Sequence, residues 1–68
     1  MYNLVELRKK HNMTQKDLAA RLNVSKSAVA LWESGKRTPT LSKAITIASI
    51  FNVSVGEICF CHKNNEGG

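Results

Sequence analysis

The sequence has few aromatic residues and no long apolar run. It contains one Trp, one Tyr and two Phe residues, so aliphatic side chains must supply most of the core. No apolar segment approaches the ~20 residues that a membrane-spanning helix needs, and no signal-peptide pattern opens the chain. We therefore expect a cytoplasmic protein that has no membrane partner.

Cysteine is also scarce, which limits both disulfide and metal chemistry. Cys59 and Cys61 are separated by one residue, and neighbours that close rarely form a structural disulfide. Together with His62 they offer three crowded ligands, whereas structural zinc normally takes four. A metal site is the weaker interpretation of this cluster, and the sequence predicts no metal and no cofactor.

The length and the charge balance narrow the class of protein further. A chain of 68 residues makes one domain, and it is too short to enclose a deep substrate cavity together with a core. This argues against an enzyme and against a small-molecule substrate. Acidic residues are few: five Asp and Glu stand against 10 Lys and Arg, which gives a net charge of +5. Such an excess favours a polyanionic partner, although a merely basic soluble surface would carry the same charge.

Residues that begin and end helices divide the chain into about five predicted helices. Each helix follows a capping Asn, Ser or Thr, and Gly35 is a favoured stop for the third. The predicted helices cover residues 4–11, 15–22, 26–34, 41–51 and 55–58. Residues 58–62 could extend as a strand, and the polar, glycine-rich residues 63–68 are predicted to be disordered. The predicted fold class is all-α, a compact helical bundle formed by residues 1–62.

Residues 14–34 predict two short helices joined by a tight turn, which is a helix-turn-helix. Apolar residues recur on the inner side of both helices, and the small Ala19 lies at their closest approach. Asn23 stands in the turn, where a residue tolerant of positive φ is needed. The start of the third helix, Lys26 and Ser27, is left facing outward. A basic helix presented in this way fits the major groove of DNA.

The third helix and its flanks carry side chains that suit DNA. Lys26 can donate to guanine, and Ser27 can donate or accept. Leu31 suits a thymine methyl group, with a core or dimer position as its alternative, and the small Ala30 can also approach the bases. Polar side chains on both flanks are expected to bind phosphates, with solvated charge as the alternative for one or two. These side chains are Thr14, Lys16, Ser34, Lys36, Arg37, Thr40 and Lys43.

The fourth helix carries more apolar side chains than one neighbour can cover. One stripe is expected to form the floor of the core. That stripe consists of Leu41, Ala44, Ile45, Ala48 and Phe51. Ile47 and Ile50 widen the apolar face, and Val55, Ile58 and Phe60 follow along the chain. We therefore expect a homodimer whose interface uses these last five residues.

Residues spread over the four longer predicted helices match a known family. They are Arg8, Thr14, Gln15, Leu18, Ala19, Leu22, Val24, Ser25, Val29, Trp32, Glu33, Gly35, Pro39, Leu41, Ala48, Val53 and Ser54. Over roughly residues 4–58, the chain resembles the helix-turn-helix domains of lambdoid phage repressors and Cro, the XRE-type family. One departure is Asn23, where the family usually has glycine.

The resemblance implies a bundle of about five helices that binds palindromic double-stranded operator DNA as a two-fold homodimer. It further implies regulation of transcription, with repression as the expected direction. It also implies that Gln15 touches a phosphate and braces the third helix. Arg8 and Glu33 are implied to form a partly buried salt bridge between the first and third helices.

An alternative function for the same fold is that of a protein-interaction module or of the antitoxin of a toxin–antitoxin pair. Lys26, Ser27 and the basic residues 36–37 favour DNA, because an adaptor does not need cations on both flanks of one helix. A hydrolase or nuclease is disfavoured, because no carboxylate pair or metal cluster is predicted near the basic face.

Overall fold

The computed structural model of the protein describes residues 1–60, so Cys61, His62 and the predicted tail 63–68 lie outside the described part. Four α-helices follow one another within residues 1–60. They are α1 (Leu4–Lys10), α2 (Gln15–Leu22), α3 (Lys26–Ser34) and α4 (Leu41–Phe51). None of the helices in this range is long and apolar enough to cross a membrane. The fold is therefore predominantly helical, as predicted.

The prediction of about five helices needs a correction at its last member. The segment Val55–Glu57 is a three-residue 3-10 turn, in which the Glu57 carboxylate accepts a hydrogen bond from Ser54 N at 3.0 Å. Gly56 disfavours further helix, and the backbone is extended at Ile58. A single turn therefore replaces the predicted fifth helix.

The second correction is a short strand pair, which an all-α fold does not contain. Strand β1 (Tyr2–Asn3) pairs in parallel with strand β2 (Ile58–Cys59). Tyr2 lies opposite Ile58, and Asn3 lies opposite Cys59. The extended segment predicted from residue 58 is thus a strand that ties the start of the described chain to its end.

Side-chain caps and left-handed residues fix the helix boundaries. Each α-helix is preceded by a residue whose side chain accepts a hydrogen bond from a backbone N–H in the first turn. These residues are Asn3, Thr14, Ser25 and Thr40. Asn23, Gly35 and Asn52 end α2, α3 and α4 with φ angles of 57°, 80° and 57°. The capping residues therefore set the ends of the helices, as the sequence predicts.

The core lies where the inner faces of the four helices meet, and α4 is rotated relative to its predicted stripe. The buried residues of α4 are Ala44, Ile47, Ala48 and Phe51. Leu41 and Ile45, both predicted to be in the core, are 70% and 53% exposed, whereas Ile47 is 0% exposed. Ile45 and Ile47 lie about 200° apart around an α-helix, so only one of them can face the core.

Candidate nucleic-acid interface

The turn between α2 and α3 is fixed by backbone hydrogen bonds around one left-handed residue. Asn23 has a φ of 57°, and its N–H donates to Ala20 O at 3.3 Å. The next N–H, of Val24, donates to Ala19 O at 3.0 Å. Ser25 then caps α3 by accepting a hydrogen bond from Ala28 N at 3.1 Å. Asn tolerates positive φ, so the turn forms without the glycine that the family usually carries.

Packing of α2 against α3 buries the inner side of both helices. Leu18 and Val29 are completely buried, and Ala19 and Leu22 are nearly so. The methyl side chain of Ala19 allows the two helices to approach closely at this point. Trp32 joins the same buried cluster near the end of α3. These contacts hold α3 in one orientation and decide which of its sides faces solvent.

The outer side of α3 presents the residues predicted to read bases. Lys26, Ser27 and Leu31 are exposed, and Ala30 is half-buried. Their spacing places them on one face of the helix, because residues three and four apart are neighbours. Leu31 is 36% exposed, so it is outside the core. The face is therefore open in the protein alone, with a lysine at its N-terminal end.

Glu33 joins three helices at the back of α3. Arg8 Nε donates to Glu33 Oε2 at 2.7 Å, and the two side chains are 12% and 8% exposed. The Arg8 guanidinium also donates to Met13 O at 2.9 Å. Gln15 Nε2 donates to Glu33 Oε1 at 2.8 Å. The partly buried pair implied by the resemblance is present, and Gln15 extends it into a network that braces α3 against α1 and α2.

The start of α2 shows how the predicted phosphate-binding groups are placed. The Thr14 hydroxyl accepts a hydrogen bond from Asp17 N at 3.0 Å, and the Asp17 carboxylate accepts one from Thr14 N at 2.9 Å. The hydrogen bond from the Thr14 backbone is the main reason that the pKa of Asp17 lies below its ordinary value. Lys16 is exposed beside this cap, and Gln15 is half-buried.

The segment that follows α3 is folded back onto the end of the helix. The Leu31 carbonyl accepts hydrogen bonds from Ser34 Oγ, Lys36 N and Arg37 N at 3.0, 3.1 and 3.2 Å. Gly35 permits this turn because its φ is 80°. The side chains of Ser34, Lys36 and Arg37 are exposed, so two cations stand at the C-terminal end of the exposed α3 face. Thr40, also exposed, accepts a hydrogen bond from Lys43 N at 3.3 Å.

Lys43 makes a hydrogen bond within the chain as well as carrying a predicted role in phosphate binding. Its ammonium donates to Leu22 O, the last carbonyl of α2, at 2.8 Å, and the residue is half-buried. A terminal helix carbonyl has no partner within its own helix and attracts a cation. Lys43 therefore connects α4 to the end of α2, a contact that the prediction of Lys43 as a phosphate ligand did not include.

The predicted dimer residues divide into two groups. Ile47 and Ile58 are buried within the single chain, so they cannot form an intermolecular surface, which corrects that part of the prediction. Their burial follows from packing of α4 and β2 onto the core. Ile50, Val55 and Phe60 are half-buried against the same core and keep some surface available to a partner.

Sequence reasoning missed two hydrogen bonds at this site, although it named the residues involved. The Gln15–Glu33 and Lys43–Leu22 hydrogen bonds link positions 18 and 21 residues apart. The amphipathic spacing of a single helix carries no information on such pairs. Within residues 1–60, no group of three or more His, Cys, Asp or Glu side chains is placed to hold a metal ion. Two members of the cysteine–histidine cluster, Cys61 and His62, fall outside this range.

The geometry of α2, its turn and the exposed α3 defines a helix-turn-helix domain, and comparison with known proteins agrees. A family model described as helix-turn-helix matches residues 4–58. The chain is 41% identical over 56 residues to an uncharacterized HTH-type transcriptional regulator of Methanocaldococcus jannaschii, covering 82% of this chain and 83% of that protein. It is 42% identical over 53 residues to an uncharacterized HTH-type transcriptional regulator of Archaeoglobus fulgidus, covering 78% and 75%.

A third relative is much longer than the matched region. The chain is 40% identical over 55 residues to the HTH-type transcriptional activator BcrR of Enterococcus faecalis, covering 81% of this chain but only 27% of BcrR. No solved structure matches the chain at a comparable level of significance. The chain belongs to the XRE-type helix-turn-helix family.

Proposed function

We propose that this protein is a sequence-specific DNA-binding regulator of transcription that places α3 in the major groove. The observation that carries the proposal is that α3 is buried on one side only. Val29 and Trp32 are buried on one side, whereas Lys26, Ser27 and Leu31 are exposed on the other. The major groove is about 12 Å wide and admits one helix. A rigidly held helix with an open basic end has the shape and charge for it.

Base reading is assigned to the outer face of α3. The Lys26 ammonium donates to guanine O6 and N7, and the Ser27 hydroxyl donates or accepts at the neighbouring pair. Leu31 meets a thymine methyl group, and Ala30 allows close approach to the base edges. Exposure of Leu31 supports this role, because an apolar side chain on an otherwise polar surface gains from contact with a methyl group.

Phosphate binding is assigned to groups on both flanks of α3. Lys36 and Arg37 lie at its C-terminal end, and Lys16 and the second amide proton of Gln15 lie at the start of α2. The hydroxyl groups of Thr14, Ser34 and Thr40 are further donors at the edges of this surface. Such groups fix the register of the protein on the duplex without reading sequence. The net charge of +5 supports a polyanionic partner.

The finer features proposed are a homodimer, a palindromic operator and repression. Two copies related by a two-fold axis would place their α3 helices about 34 Å apart, one turn of DNA. Ile50, Val55 and Phe60 retain partial exposure and are the proposed dimer contacts. Repression is the proposed direction because occupancy of a promoter is enough to exclude polymerase. BcrR is named an activator, but the match covers only 27% of its length, so its direction of regulation is not carried over to this chain.

Selection of bound duplexes from a random pool tests the proposal. The expected result is an enriched palindromic consensus whose half-sites are about 10 base pairs apart, centre to centre. Bound duplexes with no enriched sequence would contradict specific recognition. An enriched but asymmetric sequence would contradict the two-fold dimer alone.

A further inference from the structure

Two basic residues are held within the protein rather than exposed to solvent. Within residues 1–60, Arg8 and Lys43 are half-buried, whereas the other lysine and arginine side chains are exposed. Arg8 donates to Glu33, near the C-terminal end of α3. Lys43 donates to Leu22 O at 2.8 Å, directly before the turn that leads into α3. The two cations are therefore bound at opposite ends of the proposed recognition helix.

The Leu22 carbonyl needs a partner from outside its own helix. It belongs to the last residue of α2, and the last four carbonyls of an α-helix have no partner within that helix. The next two backbone N–H groups along the chain donate to Ala20 O and Ala19 O instead. The partial negative charge at the C-terminal end of a helix favours a cation, and Lys43 supplies one.

The hydrogen bond from Lys43 closes a segment that holds most of the proposed DNA-binding surface. Residues 22 and 43 are 21 positions apart, and the turn, α3 and the loop after it lie between them. This segment contains the four proposed base-reading residues and the exposed cations Lys36 and Arg37. The Leu31 carbonyl binds the backbone of the loop to the end of α3. Lys43 then binds the first turn of α4, which follows the loop, to the end of α2.

We propose that Lys43 is a positioning residue for the recognition of DNA, which holds the N-terminal end of α3 in register with the phosphate-binding groups. The inference rests on the proposed function. Lys26, assigned above to reading guanine, lies four residues after Leu22, whereas Glu33 braces the other end of the helix. Removal of the Lys43 contact leaves the Glu33 network in place and allows the N-terminal end of α3 to shift.

Base reading and phosphate binding respond differently to such a shift. A hydrogen bond to a base edge weakens steeply outside a narrow range of distance and angle, so the groups that make it must be held within about 0.5 Å of their working geometry. The attraction between a cation and a phosphate falls off more slowly with distance. Loss of the Lys43 contact should therefore reduce affinity for the operator and leave affinity for random DNA unchanged.

The test measures the affinity of Lys43→Met for the selected operator and for a random duplex at several salt concentrations. We expect a loss of about tenfold on the operator, equivalent to one weakened base contact. Affinity for the random duplex and the salt slope should stay at their wild-type values. Lys43→Arg keeps a cation that can donate to Leu22 O, so it should bind the operator better than Lys43→Met.

A second variant separates the effect of position from a general loss of stability. Ile47 is completely buried in the same helix. Ile47→Val lowers stability because it removes one methylene group from the core, and it leaves the Lys43 contact in place. This variant should keep the wild-type ratio of operator affinity to random affinity. All affinities are measured at a temperature at which thermal unfolding shows every variant to be folded.

The other outcomes overturn the inference. Equal weakening of Lys43→Met on both duplexes, with a shallower salt slope, would show that Lys43 binds a phosphate. Unchanged affinity for both duplexes would limit Lys43 to a role in stability. An equal fall of the affinity ratio in Ile47→Val, or no recovery in Lys43→Arg, would show that the hydrogen bond to Leu22 O is not the cause.

Failure of the proposed function gives a different result. In that case the wild-type protein itself yields no enriched operator in the selection, before any variant is compared. Each outcome described for the Lys43 and Ile47 variants requires a wild-type preference for the operator, so it leaves the proposed function intact.

Discussion

Glu33 receives hydrogen bonds from both Arg8 and Gln15, at 2.7 and 2.8 Å. One carboxylate at the back of α3 thereby connects the helix that faces solvent to α1 and to the start of α2. Arg8 is further anchored by Met13 O in the connection between those two helices. The orientation of the proposed recognition helix is therefore held by a charged network as well as by apolar packing.

Replacement of Arg8 tests the importance of this network for stability. The variant Arg8→Ala leaves the mostly buried Glu33 carboxylate without its cation, which costs about 3–5 kcal/mol of unfolding free energy when burial is complete. Urea denaturation measures the loss. Arg21→Ala is the matched control, since Arg21 is exposed and surface substitutions usually change stability by less than about 0.5 kcal/mol. Equal stability of the two variants would contradict a structural role for the pair.

Lys26 and Arg37 are predicted to differ in what they recognise. Lys26→Ala should cost about 1–3 kcal/mol on the selected operator and relax preference at one base pair in each half-site. Arg37→Ala should weaken binding to every sequence alike and reduce the log–log salt slope by about 0.9 for each phosphate that is no longer neutralised. Titrations of both variants on operator and random duplexes at several salt concentrations give the comparison. Uniform weakening by both variants would contradict base reading by Lys26.

Lys43 is predicted to stabilise the fold rather than to bind phosphate. Lys43→Met removes the ammonium that donates to Leu22 O, so the free energy of unfolding should fall by about 1.5 kcal/mol. The salt slope of DNA binding should stay at the wild-type value. Lys36→Met is the control and should show the reverse pattern, with stability retained and a shallower slope. A shallower slope in Lys43→Met would instead support the role as a phosphate ligand that the sequence predicts.

The cap at the start of α2 predicts a specific dependence of stability on acid. Hydrogen bonding from the Thr14 backbone lowers the pKa of Asp17 in the folded protein. A carboxyl group with a lowered folded pKa contributes stability above its unfolded pKa of about 3.9, and the contribution is lost as the pH falls through the folded pKa. Asp17→Asn should therefore show a shallower decline of melting temperature below about pH 4. An unchanged pH profile would show that protonation of Asp17 does not affect the stability of the folded protein.

The cap formed by Ser54 and Glu57 allows an independent test of the predicted dependence of stability on pH. The pKa of Glu57 is lowered in the same direction by the hydrogen bond from Ser54 N. Glu57→Gln should flatten the acid limb of the stability profile in the same sense as the Asp17 variant. Both carboxylates lie at the surface, so salt should alter the size of these effects and leave their sign unchanged.

The helix boundaries were predictable from the sequence because they depend on hydrogen bonds between residues close together in the chain. A capping side chain and the N–H that it binds lie three residues apart, so Thr14 with Asp17 and Ser25 with Ala28 can be identified in the chain itself. The left-handed ends at Asn23 and Gly35 are predictable for the same reason. The face of α3 that is left open was also predictable, because its inner side repeats at helical spacing.

The rotation of α4 and the strand pair were not predictable in this way. Apolar residues occupy almost every side of α4, so spacing alone cannot decide that Ile47 is buried and Ile45 exposed. The strands are two residues long, too short for an alternating pattern, and they join positions 56 residues apart, from Tyr2 to Ile58. Both features depend on which elements meet in space.

The most direct test of the central claim is a map of backbone amide chemical shifts as the protein is titrated with its selected duplex. The largest changes are expected at Lys26, Ser27, Ala30 and Leu31, with smaller ones at the start of α2 and at residues 36–37. A random duplex should reproduce the smaller changes but not the full pattern on α3. Changes confined to α1 or to the exposed Leu41 and Ile45 of α4, with α3 unaffected, would contradict recognition of DNA by α3.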